Sequence, residues 1–520
     1  MPRSAARLAA LGTLALATPA LAQRATFRVE ETTIAAVHAA MRAHTLTCHA
    51  LVQAYLDRIA AYDHRGPAIN ALIVVDPRAL AVADSLDRRF AREGLTGPLH
   101  CVPMIVKDNF ETADLPTTAG SLALAGWRPP QDATMVARIR AAGAIVLAKS
   151  NLAEWAFTPY ETLSSILPGY TKNPYALDRV TAGSSGGTAA AIAASFGEVG
   201  LGTDTGNSIR GPSSFQALVG IRSTMGLTSR AGVVPLNASA DVAGPMARTV
   251  ADAVAVFQVV AGADPADPVT AAATAHREGD YRTFLRPGAL RGARIGILRQ
   301  AYERPSLDSG VAAVFARAVA ALRAQGAVVV DSARVDSLNA ILGRRGACNR
   351  FKADLERYLA ARAPNAPVHT VDEILKSRSF HPTVELRLRD AAAVTETPEQ
   401  SAGCARTEAA RASLRTAVVA LMDSLRLDAL VYPTWSNPPR LIGDLVTPAG
   451  DNSQVFSPLT GFPAITVPMG STPSPNGESL PAGLTFFGRP WSEGRLIELV
   501  YGYEQATHHR KAPASVPALR

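Results

Sequence analysis

The chain has 520 residues, of which 48% are hydrophobic and 18% charged, with 39 glycines and 36 prolines. That composition excludes a collagenous, low-complexity or disordered chain and leaves ample apolar material for a large core. The formal charge of +8 is scattered, with no long Lys/Arg block and no interleaved aromatics, so it reads as a solvated basic surface rather than a nucleic-acid site.

The first residues read as an export leader. Arg3 and Arg7 open it, an apolar run extends from Leu8 to Ala17, and Pro19-Ala20-Leu21-Ala22 offers small residues for cleavage before Gln23. Residues 1–22 are therefore expected to be a cleaved signal peptide and 23–520 a single mature domain, periplasmic or extracellular. The run is too short to span a bilayer, and no later stretch is apolar enough to do so.

Helical spacing then predicts two helices, in "TIAAVHAAMRA" and "CHALVQAYLDRIAAYD", and a third in "ALAVADSLDRRFA". "LHCVPMIV" is a short apolar run that predicts a buried strand ending on Lys107-Asp108-Asn109. "TMVARIRAAG" predicts a helix closed by Gly143. "AIVLAK" predicts a second buried strand, "GGTAAAIAAS" an alanine-rich helix, and "EVGLGTDT" a strand leading into a serine loop. Beyond residue 250, "ARIGILR", "AVVV" and "DALVYPT" predict strands, with helices in "GVAAVFARAVAALRAQG" and "SLRTAVVALMDSLR". This alternation argues for an α/β fold with a large, mostly buried sheet. "AGADPADPVTAAATA" at 261–275 is the best linker candidate, or else a surface loop inside one domain. Residues 340–410 read as a helical excursion off the sheet. "STPSPNGESLPAG" at 471–483 reads as a long turn between strands.

The four cysteines are Cys48, Cys101, Cys348 and Cys404. None lies in a Cys-x-x-Cys pair or near a histidine at ligand spacing, so no metal site is expected. An even count in an exported protein suggests disulfides. Cys48–Cys101 with Cys348–Cys404 is the preferred pairing of three, and four buried free thiols are the alternative.

Two glycine-flanked serine clusters carry the chemistry: "VTAGSSGGTAAAIAAS" at 180–195 and "GLGTDTGNSIRGP" at 200–212. Gly183-Ser184-Ser185-Gly186-Gly187 satisfies G-x-S-x-G with Ser185 as nucleophile, but the strand that should precede it, "ALDRVTA", is polar, and no histidine sits in a catalytic context. Phosphate binding is also weak, because no P-loop lysine follows the glycines. A third arrangement uses more of the chain. A serine needs a base to attack at neutral pH, and a lysine kept neutral by burial can serve. Lys107 ends a strongly apolar run, and neighbouring serine hydroxyls can both accept and pass a proton.

Those residues resemble the amidase signature family. The resemblance rests on "GPLHCVPMIVKDNF", "VLAKSNLAEWAF", "GYTKNPY", "TAGSSGGTAAAIAAS", "GLGTDTGNSIRGPSS", "LVGIRSTMGLTSRAGVVPL", "DVAGPMARTVADA", "GFPAITVPMG" and "LPAGLTFFGRP", spread over roughly residues 45–510. It implies a large mixed central β-sheet surrounded by α-helices. It implies a hydrolase of linear amides without cofactor or metal, acting on a small-molecule amide and in some members homodimeric. Residue by residue, it makes Ser208 the nucleophile, Ser184 the bridging serine after a cis peptide bond, and Lys107 the general base. The backbone N–H groups of Thr205, Gly206, Asn207 and Ser208 would form the oxyanion hole. Ser185, Asp204 and Arg210 would brace the site, and Asp108 and Asn109 would hold the turn after Lys107. Trp155 and Phe157 are candidates for an acyl pocket, or ordinary core.

One departure stands out: the family commonly has Gly-Gly-Ser where this chain has Gly206-Asn207-Ser208. Asparagine tolerates unusual backbone angles best among non-glycine residues, so the loop can keep its shape. Its side chain would then either enter the site or point away. Two rival functions follow: the A-type component of a glutamyl-tRNA amidotransferase, which the leader argues against, and a binding protein on an impaired amidase site.

Overall fold

The computed structural model describes residues 27–519, so the expected signal peptide lies outside the described residues. Among those, no helix is long and apolar enough to cross a membrane.

Thirteen strands appear in chain order: β1 (Leu72–Val75), β2 (Pro103–Lys107), β3 (Ile145–Ser150), β4 (Lys172–Asn173), β5 (Ala176–Val180), β6 (Val199–Asp204), β7 (Val219–Arg222), β8 (Val242–Ala247), β9 (Arg294–Ile297), β10 (Val328–Val330), β11 (Ala429–Pro433), β12 (Ala464–Pro473) and β13 (Ser479–Phe487). Eleven of them form one sheet in the order β1-β3-β2-β6-β8-β7-β12-β13-β11-β9-β10, while β4 and β5 form a separate hairpin. The sheet is mixed. β2 runs parallel to both β3 and β6, β6 antiparallel to β8, and β9 parallel to β10 and β11. Every residue of β2, β3 and β6 is buried, which is why these strands read as continuous apolar runs without alternation.

Helices cover the sheet. The first two, Ile34–Arg42 and Cys48–Tyr62, start where Thr33 and Thr47 accept a backbone N–H three residues on, an N-cap each. The alanine-rich helix Gly186–Ala193 is buried along its whole length, so its small side chains suit close packing against the sheet. Gly143 follows the helix Thr134–Ala141 at φ +94°, and a Cβ there would lie 2.8 Å from His100 Cα, so both conformation and space require glycine.

Four segments differ from expectation. "LHCVPMIV" enters the sheet only at Pro103, because Leu99-His100-Cys101 turn to pair with the Ala142–Gly143 end of the preceding helix. "ALDRV" is a strand after all, but it belongs to the β4–β5 hairpin. Residues 261–275 are not a free linker. Asp264 and Asp267 are buried there and bind Ser229 and Arg230, respectively. "STPSPNGESLPAG" is mostly strand, since β12 runs to Pro473 and β13 starts at Ser479, leaving only residues 474–478 to turn.

The helical excursion is present as Leu338–Gly343, Phe351–Arg362, Val371–Ser377 and Glu385–Ala392, followed by the long helix Ala402–Ser424. It has its own small core, in which Phe351, Leu355, Leu359 and Leu388 pack on Trp127, Trp155 and Phe157 from the body of the protein.

Both preferred disulfides form. Cys48–Cys101 ties the second helix to the turn that launches β2, and Cys348–Cys404 ties the excursion to the start of the long helix. Loops of 53 and 56 residues are closed, a constraint on the unfolded chain that corresponds to about 4 kcal/mol each in the chain-entropy account.

Candidate active site

Because β2 and β6 are parallel neighbours, with Val106 opposite Leu201, their carboxyl ends open on the same edge of the sheet. Lys107 is the last residue of β2, and Thr203 and Asp204 are the last of β6. The turn into the buried helix Gly186–Ala193 brings Ser184 and Ser185 to the same place. Residues more than seventy positions apart thus meet through strand pairing.

Lys107 is fully buried, and its Nζ lies 2.7 Å from Ser184 Oγ and 2.7 Å from Thr203 Oγ1. Burial of the amine pushes its pKa down to about 7, against the pull of the Asp241 and Asp204 carboxylates, which favour the charged form. Near neutral pH the amine is therefore substantially unprotonated and can accept a proton from Ser184. Thr203 Oγ1 is fixed in turn by Asn109 Nδ2 at 3.2 Å. The Gly183–Ser184 peptide bond is cis.

Ser185 faces elsewhere. Its hydroxyl donates to the Thr203 carbonyl (3.1 Å) and accepts the Thr203 N–H (3.3 Å), while its own N–H donates to the Ser208 carbonyl (3.3 Å). A hydroxyl engaged twice by backbone is a brace, which removes the G-x-S-x-G elbow from consideration.

Ser208 follows β6 in the loop 205–208 and is nearly buried, with 4% of its surface exposed, yet it lines a cavity of about 510 Å³. Its hydroxyl makes no hydrogen bond among the described residues. The loop itself is shaped by Asp204. That carboxylate accepts the N–H groups of Ile209 and Arg210 and binds the guanidinium groups of Arg210 (3.1 Å) and Arg222 (3.1 Å). Burial raises its pKa, but the two arginines outweigh that and hold it at about 2. Arg210 also reaches the Gly206 carbonyl at 2.7 Å, and Arg222 the Asp204 carbonyl. With the carbonyls drawn inward, the N–H groups of Thr205, Gly206, Asn207 and Ser208 find no acceptor among the described residues, and all four residues line the cavity. Such free, fixed donors are what an oxyanion requires. Asp204→Asn should strand two buried guanidinium groups and lower unfolding stability by about 3–5 kcal/mol, measured by denaturant titration.

Asn207 is fully buried, and both polar atoms of its side chain lack a partner. The side chain lies against Gly211, where an added Cβ would fall 2.3 Å from Asn207 Nδ2. It therefore leans on the following helical turn, while Asn207 also contributes to the cavity lining. Gly211→Ala should push the amide away and cost about 100-fold in kcat/KM through misplacement of the loop. The added change Asn207→Gly should restore most of the rate, as read by a double-mutant cycle.

Of the aromatic candidates, Phe157 lines the cavity, whereas Trp155 is core, edge-on to Phe351 at 6.1 Å. Asp108 pairs with buried Lys149 at 3.0 Å and accepts the Thr118 N–H, and Lys149 in turn donates to the Phe110 and Pro116 carbonyls. Asp108 and Asn109 thus hold the turn after Lys107, as expected.

Several residues escape sequence reasoning. Thr203 is the second acceptor on Lys107. Asp241 takes the Thr205 hydroxyl at 2.5 Å and two backbone N–H groups, fixing the start of the loop. The far wall, with Arg345, Arg350, Cys348, Arg387, Cys404 and Arg411, comes wholly from the excursion and the long helix. Nothing in local sequence marks those residues as facing the serine loop. Among the described residues no cluster of histidine, cysteine or acidic side chains could hold a metal.

Comparison with known proteins identifies the family. The amidase family model matches residues 50–497. The crystal structure of the native peptide amidase of Stenotrophomonas maltophilia superposes with a TM-score of 0.82 at 38% identity, covering 93% of this chain and 98% of that one. A probable amidase of Arabidopsis thaliana is 33% identical, covering 94% of this chain and 92% of that protein. The A-type component of the glutamyl-tRNA(Gln) amidotransferase of Moorella thermoacetica is 34% identical, covering 88% of this chain and 93% of that protein. With its eleven-stranded mixed sheet wrapped in helices and the family motifs gathered at one sheet edge, the chain belongs to the amidase family.

Proposed function

We propose that the protein is an exported amidase that hydrolyses a linear carboxamide through an acyl-enzyme on Ser208. The observation that carries this reading is the buried Lys107, its pKa pushed down to about 7, bonded to Ser184 beside a cavity lined by Ser208 and by a loop whose four N–H groups find no acceptor among the described residues. Neutral Lys107 takes the Ser184 proton as Ser184 takes the Ser208 proton, and Ser208 Oγ attacks the carbonyl carbon. The N–H groups of residues 205–208 receive the oxyanion. The relayed proton then passes to the departing nitrogen, the C–N bond breaks, and an ester to Ser208 remains. Water attacks that ester by the reverse relay and releases the acid. The relay requires the Ser208 hydroxyl to donate to Ser184, and among the described residues it has no competing partner.

Two disulfides and the basic-apolar leader support an oxidising compartment outside the cytoplasm. The likeness to a peptide amidase supports a peptide-like substrate, and the scissile bond in this proposal is a carboxamide. The amidotransferase reading draws on the similarity to the A-type component of that enzyme, and the same two disulfides weigh against it. An impaired binding protein would need Asn207 to obstruct the loop, and its side chain lies against Gly211 instead. The test is ammonia release from terminal carboxamides by purified mature protein, together with fluorophosphonate labelling mapped to Ser208. Folded protein that does neither overturns the reading.

A further inference from the structure

We propose that the cavity selects amides bearing a carboxylate, recognised by Arg345 and Arg387. This deepens the amidase reading and rests on it for the identity of the scissile bond. Four arginines line the cavity that holds Ser208, against a single carboxylate, Glu408. Two of the four are already committed. Arg411 pairs with Glu408 at 2.7 Å and donates to Ser239 and to the Leu459 carbonyl, and Arg350 pairs with Asp354 at 3.2 Å. The other two are not. Among the described residues, Arg345 donates only to the Leu342 carbonyl at 3.3 Å, and Arg387 has only the face of Phe157 at 5.9 Å. Neither has a carboxylate within ion-pair distance among the described residues. Asp390, which shares the adjoining recess with Arg387 and Arg350, pairs with neither.

Both arginines are exposed, but they stand at the wall of the cavity that holds Ser208. Both face a concavity whose walls include Ala156, Phe157, Leu236 and Leu459, and apolar walls concentrate the field of the charges they carry. The ring of Phe157 restricts the Arg387 guanidinium. Arg345 sits three residues from Cys348, whose bond to Cys404 pins its loop to the long helix. Beside that bond the two backbones touch so closely that a Cβ on Gly346 would lie 2.5 Å from Gly403 Cα. The disulfide therefore fixes one side of the cavity and the backbone from which Arg345 extends. A guanidinium offers a paired donor edge that matches a carboxylate and leaves a carboxamide poorly satisfied.

The experiment uses N-acetyl dipeptide and tripeptide amides in matched pairs, glutamate against glutamine and aspartate against asparagine, with the acid placed one or two residues before the terminal amide. Binding to the Ser208→Ala protein is read by calorimetry, and hydrolysis by the wild-type protein is read separately. The acidic member of at least one pair should bind about tenfold tighter at low salt, with the preference shrinking at high salt. The double variant Arg345→Gln/Arg387→Gln should abolish the preference. Arg389→Gln, which removes an exposed arginine paired with Glu385 on the same helix, should keep it. Equal binding within every pair, no binding by any member, or a preference that survives in the double variant would overturn the proposal. Preferential binding without turnover by wild-type protein would instead count against the amidase reading and leave the anion selectivity standing.

Discussion

Ser208→Ala is expected to lower kcat on the order of 10⁶-fold, the scale at which a nucleophile missing from a relay is felt. Labelling by a fluorophosphonate should vanish with it. Stability should barely change, because the Ser208 hydroxyl has no hydrogen-bond partner to lose among the described residues and the loop is held by Asp204, Arg210, Arg222 and Asp241 rather than by the serine. Activity loss with an unchanged unfolding midpoint therefore separates a chemical role from a structural one. Ser185→Ala gives the contrast. Its hydroxyl bridges two Thr203 backbone groups, so its loss should act through the position of β6 and lower stability as well as rate. Retained labelling in the Ser208 variant, mapped to Ser185, would restore the nucleophile elbow and refute the relay.

How much of this was legible in the sequence depended on how far each feature reaches through space. Lys107, Ser184 and Ser208 stood out because each sits in a dense local motif: an apolar run ending in Lys-Asp-Asn, and serines flanked by glycines. The buried strands β2, β3 and β6 were visible because two covered faces need unbroken apolar runs. The strand Ala176–Val180 is polar and hard to read from sequence, because a short hairpin off the main sheet has no such requirement. Thr203 and Asp241 are ordinary residues until strand pairing sets one beside Lys107 and the turn 236–241 sets the other beside Thr205. Asn207 illustrates the limit most sharply. Sequence framed two orientations for it, and only the space left by the absent side chain of Gly211 selects between them. The arginine wall was invisible for the same reason: it lies some 140 residues or more beyond the serine loop and reaches it only through the packing of the helical excursion on Phe157.

Lys107 should make catalysis rise with pH through about 7. Burial lowers its pKa to about 7 from the ordinary lysine value of 10.5, and only the neutral amine can take the Ser184 proton. The logarithm of kcat/KM should therefore climb with unit slope below that value and level off above it. Asp241 and Asp204 oppose the shift, so Asp241→Asn, which removes a carboxylate favouring the ammonium form, should move the inflection to lower pH. An inflection that stays fixed in that variant would assign the titration to another group. Lys107→Met should abolish turnover at every pH, and its stability should respond with a definite sign. The unfolded chain binds a proton on this lysine up to its ordinary value, and the folded chain gives it up near 7. Folding is thus penalised by the buried amine below pH 7, and the penalty fades as pH rises toward 10.5. Methionine removes the charge from the apolar site, so the variant should gain the most stability relative to wild type at pH 6 and keep only part of that advantage at pH 9. A relay lysine tuned by burial predicts both the inactive variant and this shrinking advantage, whereas a lysine held as a permanent ammonium predicts a loss of stability at both pH values.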